Sequence, residues 1–142
     1  MEETWKRIPE FKKGYEISTT GKVRLIKNSK KLAMYSDAFG YQFVYLKDGD
    51  KRVKYRIPHL MGKVFLKTNN LLDYIDGNYT NNNLDNLKET GLKWYNLKSV
   101  FSGSSKFIGV YYYEEGNKWK TIPSLGYFNT ELEAAEAKYA HN

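Results

Sequence analysis

The feature that most constrains this fold is a series of five short alternating segments between residues 15 and 57. They cover 15–18, 22–26, 31–35, 41–47 and 51–57, and turn-forming residues separate them. Short β-type runs at this spacing predict an antiparallel β meander. In the fourth segment, alternation places three aromatic side chains on one face, opposite Gln42, Val44 and Leu46: Tyr41, Phe43 and Tyr45. Because neither face is purely polar, one of them is a candidate contact surface.

The rest of the chain predicts helices and a second small sheet. Pro58 fits the first turn of a short helix packed on the meander. The Asn-rich stretch 67–90 predicts a hairpin or loop, followed by a helix that begins near Asp85. Residues 107–115 and 117–122 predict a hairpin, with 125–128 as a third short strand. Thr130 and Glu133 form a capping box for a last helix that runs to the C-terminus.

Charge is concentrated in the first half of the chain. The formal net charge is +7, and the lysine and arginine excess lies entirely within residues 1–67. A basic region interleaved with aromatic residues suits a nucleic acid, whose phosphates meet Lys and Arg while bases or sugars meet rings. The alternative is a merely soluble, lysine-rich surface.

Composition excludes several classes of site and protein. The chain of 142 residues has no cysteine and two histidines, His59 and His141, so it has no disulfide scaffold, thiolate zinc site or cysteine nucleophile. The first residues lack the order of a signal peptide, and no apolar run is long enough to span a bilayer. We therefore expect a soluble, intracellular protein with no membrane partner.

Three groups of residues follow one another along the chain. The first comprises Trp5, Ile8, Pro9 and Phe11, then 15–18, Gly21, Val23 and Arg24. The second comprises 55–60 and Phe65, then 73–82 and 85–87. The third comprises 105–110, Trp119, 125–128, Thr130 and 133–135. In this order they resemble the phage-type HNH homing endonucleases, with an N-terminal DNA-contact module, an HNH core, and an AP2-like module that is shortened between Trp119 and Leu125.

The resemblance implies an α+β fold in four parts. The parts are a β module over 1–56, a ββα-metal core over 57–100, a linker over 101–106, and an AP2-like small sheet plus helix over 107–142. It also implies the cytoplasm of a phage-infected bacterial host as the location.

The HNH resemblance implies a nuclease centre that holds Mg²⁺ or Mn²⁺, with one critical substitution. Asp73 stands at the first metal-ligand position, Asn86 at that of a residue that orients the site, and Asn96 at a second ligand position if the alignment slips by one residue. Tyr74 stands where the family has its general-base histidine, and His59 lies next to the family's other histidine position. A tyrosine with a pKa near 10 is only about 0.1% ionised at pH 7, and loss of a positioned base typically costs roughly 10²- to 10⁴-fold in rate.

We therefore expect a protein that binds double-stranded DNA, mostly through phosphates, with an impaired nuclease centre. The expected contact residues are Lys22, Arg24, Lys27, Lys30, Lys31, Lys51, Arg52, Lys54, Arg56, Lys106 and Trp119. Two alternatives stay open. One is a slow metal-dependent nicking endonuclease, in which His59 or a metal-bound hydroxide replaces the base. The other is an anti-defence inhibitor, for example an anti-CRISPR factor, that binds a protein or nucleoprotein target.

Overall fold

A computed structural model describes residues 2–139, and within them the chain has a mixed α+β fold, as predicted. It divides into two compact units, residues 1–90 and 91–142. The division into four parts stays a prediction, as does the AP2-like character of the last part. None of the described helices is long and apolar enough to cross a membrane.

Two three-stranded antiparallel sheets and a hairpin build the first unit. The first sheet contains β1 (Trp5–Arg7), β2 (Tyr15–Ser18) and β3 (Val23–Leu25). The second contains β4 (Tyr35–Ser36), β5 (Gln42–Asp48) and β6 (Lys51–Arg56). The predicted antiparallel strands are thus present, but they form two sheets and not one meander.

The predicted strand 31–35 is where the chain passes from one sheet to the other. Lys31 forms a single bridge with Arg24, and the Leu32 N–H donates to the carbonyl of Val23. Only Tyr35–Ser36 is a true strand, and it pairs with β5 in the second sheet. The N-terminal end of the segment therefore pairs with the first sheet and its C-terminal end with the second, so no continuous strand forms over 31–35.

A short helix and a hairpin follow the second sheet. Helix α1 (Ile57–Met61) has Pro58 in its first turn, as predicted, and continues as a π-helical turn over Gly62–Leu66. Strand β7 (Asn70–Tyr74) pairs with β8 (Leu87–Lys93), which crosses the boundary between the units.

The predicted helix near Asp85 is wrong. Leu84–Asn86 forms a single 3-10 turn, and the chain then enters β8. The carbonyl of Asn86 accepts a hydrogen bond from the Ile75 N–H, which starts the pairing of the two strands. Along β8, Leu87, Thr90 and Leu92 are buried and the other four residues are exposed.

The second unit contains a hairpin and the longer helix. Strands β9 (Val110–Tyr113) and β10 (Lys118–Thr121) pair as predicted, and residues 125–128 add one bridge to Trp119 in place of a third strand. Helix α2 (Glu131–Tyr139) follows Thr130, whose hydroxyl accepts a hydrogen bond from the Glu133 N–H at 3.1 Å. The predicted N-terminal cap is confirmed, and the predicted end of the helix at residues 140–142 lies outside the described residues.

Each unit has its own core. In the first, side chains with essentially no exposure come from both sheets and from α1, among them Ile17, Val44, Leu46, Ile57 and Met61. In the second, Phe107, Ala134 and Ala135 are fully buried. Val44 and Leu46 have no exposure, whereas on the opposite side of β5 Phe43 is 8% exposed and Tyr45 is half-buried. This second side is called the outer face of the sheet.

Candidate nuclease centre and nucleic-acid interface

Tyr74, at the expected base position, is a packed core residue. It is 3% exposed, and its ring stacks on Tyr79 with centroids 4.8 Å apart. Tyr79 in turn stacks on Tyr41 at 5.0 Å. The Tyr74 hydroxyl donates a hydrogen bond of 2.7 Å to Oδ1 of Asn82, whose Nδ2 donates to Oε1 of Gln42 at 2.8 Å. The phenol proton thus joins the β7 hairpin to the sheet that contains β5.

Burial sets the protonation of this tyrosine. Loss of hydration raises the pKa of Tyr74 well above its usual value, and the nearby Tyr79 and Asp37 add to the shift. The side chain is therefore a protonated hydrogen-bond donor throughout the neutral range. A group in this state cannot take a proton from an attacking water.

Asn86, expected to orient the centre, closes the hairpin loop. Its Nδ2 donates to Oδ1 of Asp76 and to the carbonyl of Asn81, both at 2.9 Å, and its Oδ1 accepts from the Asp76 N–H at 3.1 Å. Hydrogen bonds from Asn81 first, and then from the Asn78 N–H and Asn86, hold the pKa of Asp76 below its usual value. These residues organise the turn whatever chemistry takes place beside it.

The two expected metal ligands lie in different units. Asp73 is half-buried on β7, and Asn96 is buried in a 3-10 turn of the second unit, Trp94–Asn96. Oδ1 of Asn96 already accepts a hydrogen bond from the Lys93 N–H at 2.9 Å. Within residues 2–139, no three His, Asp or Glu side chains lie close enough together to hold a metal ion. The roles of Asp73 and Asn96 as metal ligands stay predictions.

His59 is the one described histidine, and it is half-buried on α1. Burial first, and then the positive charges of Lys63 and Arg56, lower the pKa of His59, while a hydrogen bond with Asn69 opposes the shift. The imidazole is therefore neutral at pH 7. This is the form that can accept a proton.

The outer face of the second sheet combines rings and cations. In the β5–β6 pairing, Tyr45 lies opposite Lys54 and Lys47 opposite Arg52. The guanidinium carbon of Arg52 lies 3.9 Å from the centre of the Tyr45 ring, and Nζ of Lys54 lies 4.3 Å from that of Phe43. Such contacts are favourable cation–π interactions.

One carboxylate sits among these cations. Nε of Arg56 donates to Oδ2 of Asp37 at 2.8 Å, and Nζ of Lys54 lies 3.6 Å from the same oxygen. Burial alone would raise the pKa of Asp37, but the hydrogen bond and charge of Arg56 outweigh it, and the N–H groups of Phe39 and Tyr41 add to their effect. Asp37 stays ionised, and it offsets part of the positive charge of this face.

The other basic residues of the first unit that were expected to contact DNA fall into two kinds. Nε of Arg24 lies 2.6 Å from Oε1 of Glu16, and its guanidinium lies 3.7 Å from the centre of the Trp5 ring. Arg24 is therefore committed to contacts within its own sheet. The others are exposed lysines: Lys22, Lys27, Lys30, Lys31 and Lys51.

In the second unit, the expected contact residues Lys106 and Trp119 are packed against neighbouring rings, and a more exposed ring lies elsewhere. Lys106 is half-buried above the ring of Phe107. Trp119 packs edge-on to Tyr112 at 5.1 Å, opposite it in the hairpin. On the other face, Nζ of Lys120 lies 4.9 Å from the centre of the Tyr127 ring, which is 60% exposed.

Sequence reasoning missed several of these positions. Lys120 could have been found, because alternation along β10 places it on the face of the hairpin that Trp119 does not occupy. The Asp37 ion pairs carried no such signal, since a carboxylate in a turn reads as a turn former. The contact of Asn82 with Tyr74 depends on a loop conformation that spacing does not specify.

Comparison with known proteins identifies relatives of part of the chain. Residues 3–47 match the model of the NUMOD4 motif. An uncharacterized HNH endonuclease of Acanthamoeba polyphaga mimivirus is 33% identical over 107 residues, which are 73% of this chain and 32% of the relative. The solved structure of the HNH homing endonuclease I-HmuI, which binds and cleaves DNA, is similar with a TM-score of 0.55 and 31% identity, over 63% of this chain and 52% of that one.

The matches thus span about a third of the viral relative and about half of the solved chain. The NUMOD4 match lies within the first unit, where the N-terminal module was predicted. Over these parts of their length, the chain is similar to the viral HNH endonuclease and to the solved HNH homing endonuclease.

Proposed function

We propose that this chain binds double-stranded DNA through its basic N-terminal unit and that its nuclease-like centre is impaired. The similarity to I-HmuI, which binds DNA, supports the choice of partner. So do the exposed lysines of this unit and the row of cations on β6. Contacts of this kind are made mostly to phosphate.

One observation carries the proposed impairment. The Tyr74 hydroxyl is buried, protonated and engaged as a donor to Asn82. The position therefore contributes to stability, and it supplies no base. Loss of a positioned base typically lowers the rate by roughly 10²- to 10⁴-fold.

Fluorescence anisotropy with a labelled duplex tests the binding. We expect the affinity to fall steeply with salt, because each neutralised phosphate contributes a slope of about −0.9 to the plot of log affinity against log salt. As a matched pair, Lys30→Gln should weaken binding and Lys30→Arg should preserve it. Binding that is absent at low salt, or insensitive to salt, would refute the proposal.

A nicking assay on supercoiled plasmid with Mg²⁺ or Mn²⁺ tests the impairment. We expect no cleavage by the wild-type chain, or cleavage that persists in Asp73→Ala and therefore comes from a contaminant. Cleavage that Asp73→Ala abolishes would overturn the impairment. Tyr74→His is the companion variant, because a gain of nicking would show that the rest of the centre is intact.

The state of His59 favours a second candidate, a slow metal-dependent nicking endonuclease. The half-buried imidazole has a lowered pKa and is neutral at pH 7, so it is able to accept a proton. In this case His59→Gln should abolish nicking while DNA binding persists. Equal nicking by His59→Gln and the wild type would exclude this role.

An anti-defence role, for example as an anti-CRISPR factor of phage origin, stays a prediction from the sequence. A pull-down from host extract tests it, with and without nuclease treatment. If a defence protein is still captured after nuclease treatment, the anti-defence role is supported. If capture requires DNA, the result supports DNA binding instead.

A further inference from the structure

Three aromatic rings contact one another on the outer face of the second sheet. The ring of Tyr35 lies 5.6 Å from those of Phe43 and Tyr45, and these two lie 5.4 Å apart. Pairing in register places Tyr35 opposite Phe43, and Phe43 opposite Arg56. Since partners in register share a face, the rings and the cations of β6 project from the same side of the sheet.

Two of the cations of β6 rest on these rings. Arg52 lies over Tyr45 at 3.9 Å and Lys54 over Phe43 at 4.3 Å. Long basic side chains normally lose much rotamer freedom when they bind a ligand. A cation already resting on a ring has lost part of that freedom in the unbound protein, so it binds an anion at a smaller entropic cost.

The same contacts decide what this face can bind. A base that stacks needs an uncovered ring, whereas Tyr45 and Phe43 each have a cation above them. The row of cations meets one described carboxylate on this face, that of Asp37. Its charge is therefore complementary to the phosphates of a nucleic acid backbone and not to an apolar or cationic partner.

We propose that this cation–ring face (Phe43, Tyr45, Arg52 and Lys54) holds the phosphate backbone of duplex DNA, and that Phe43 and Tyr45 are positioning residues for the cations above them. The inference rests on the proposed DNA binding and adds the mode of contact. Tyr45 acts through Arg52 and does not touch a base. Recognition by this face is accordingly insensitive to base sequence.

A double-mutant cycle tests the role of Tyr45. The variants are Tyr45→Leu, Arg52→Gln and the double variant, and binding to a labelled duplex is measured by anisotropy at one salt concentration. We expect Tyr45→Leu to weaken binding roughly two- to fivefold, the effect of one exposed cation–π contact. In the Arg52→Gln background the same change should have no further effect, because the ring then has no cation to hold. Equal effects in both backgrounds, or no effect in either, would overturn the proposal.

Conservative variants separate positioning from folding and from stacking. Tyr45→Phe keeps the ring and should bind as the wild type does, and Tyr45→Met replaces Tyr45→Leu in the cycle if the latter does not fold. Tyr35, which is 43% exposed, is the matched control, since Tyr35→Leu should bind like the wild type if phosphates occupy the face. Weakening by Tyr35→Leu, or tighter binding to the single strand than to the duplex, would indicate stacked bases and refute the backbone assignment.

These outcomes are distinct from failure of the proposed function. If the wild-type chain shows no salt-dependent binding to duplex DNA, both ideas fall. If it binds and the effect of Tyr45→Leu does not depend on Arg52, only the inference about this face is refuted.

Discussion

Removal of one oxygen atom tests whether Tyr74 is a structural residue. Tyr74→Phe keeps the stacked ring and deletes the hydroxyl that donates to Asn82 at 2.7 Å. The change removes a buried hydrogen bond, which typically contributes about 1 kcal/mol net. It also leaves Oδ1 of Asn82, a residue 3% exposed, without this donor, and such a group costs about 1–3 kcal/mol. We therefore expect the free energy of unfolding to fall by about 1–3 kcal/mol.

Urea denaturation followed by circular dichroism measures this change. Tyr95→Phe is the matched control, because it deletes the same atom from a side chain that is 74% exposed, and surface changes are usually within about 0.5 kcal/mol. DNA binding by folded Tyr74→Phe should equal that of the wild type. If Tyr74→Phe is no more destabilising than Tyr95→Phe, or if it lowers a nuclease rate at unchanged stability, the structural role is wrong.

Three further changes test other parts of the two units. Asp37→Asn removes the carboxylate that pairs with Arg56 and Lys54, so it should tighten duplex binding and steepen its salt dependence; weaker binding in the anisotropy assay would contradict this. The pKa of His59 is lower in the folded chain than its usual 6.5, so the unfolded state binds more protons and stability should be lost as the pH falls below about 6.5. His59→Gln should lose less stability between pH 7.5 and 5.5 in the same urea experiment, and equal losses would count against the shift. Ser105 is fully buried and its hydroxyl donates to Glu131 at 2.7 Å, so Ser105→Ala should destabilise the second unit by about 1–3 kcal/mol, against little change for the exposed Ser102→Ala in thermal unfolding.

Local patterns predicted the strands well where one sheet determines the environment of a segment. The alternation in 41–47 correctly placed Val44 and Leu46 on one face of a strand and Phe43 and Tyr45 on the other, because a strand places successive side chains on opposite faces. The same reasoning failed at 31–35, where the two ends of one segment pair with different sheets. Which partner a short strand takes depends on long-range packing, and no local pattern records it.

The helix near Asp85 failed for a related reason. A polar stretch rich in Asn and Asp is as suitable for the loop that Asp76 and Asn86 close together as for the start of a helix. The choice is made by the carbonyl of Asn86, which accepts from Ile75 and begins a strand ladder. The residue types therefore indicated that side chains form hydrogen bonds with the backbone here, but they did not distinguish the backbone of a loop from that of a helix start.

The sequence also predicted only part of the chemistry of the candidate centre. The sequence identifies a tyrosine at position 74, and the ordinary pKa of its phenol already argues against a base. The stronger argument comes from three dimensions, because Tyr41 and Tyr79 bury the ring and Asn82 binds its proton. Tyr74→His would restore a base but would also remove this packing and leave a cavity. Nicking by this variant therefore requires that the rest of the centre is intact and that the first unit is stable enough to tolerate the cavity. Measuring the stability of Tyr74→His alongside its nicking separates these two requirements: a folded, inactive variant locates the remaining defect outside position 74, and an active one would show that the substitution alone had silenced the centre.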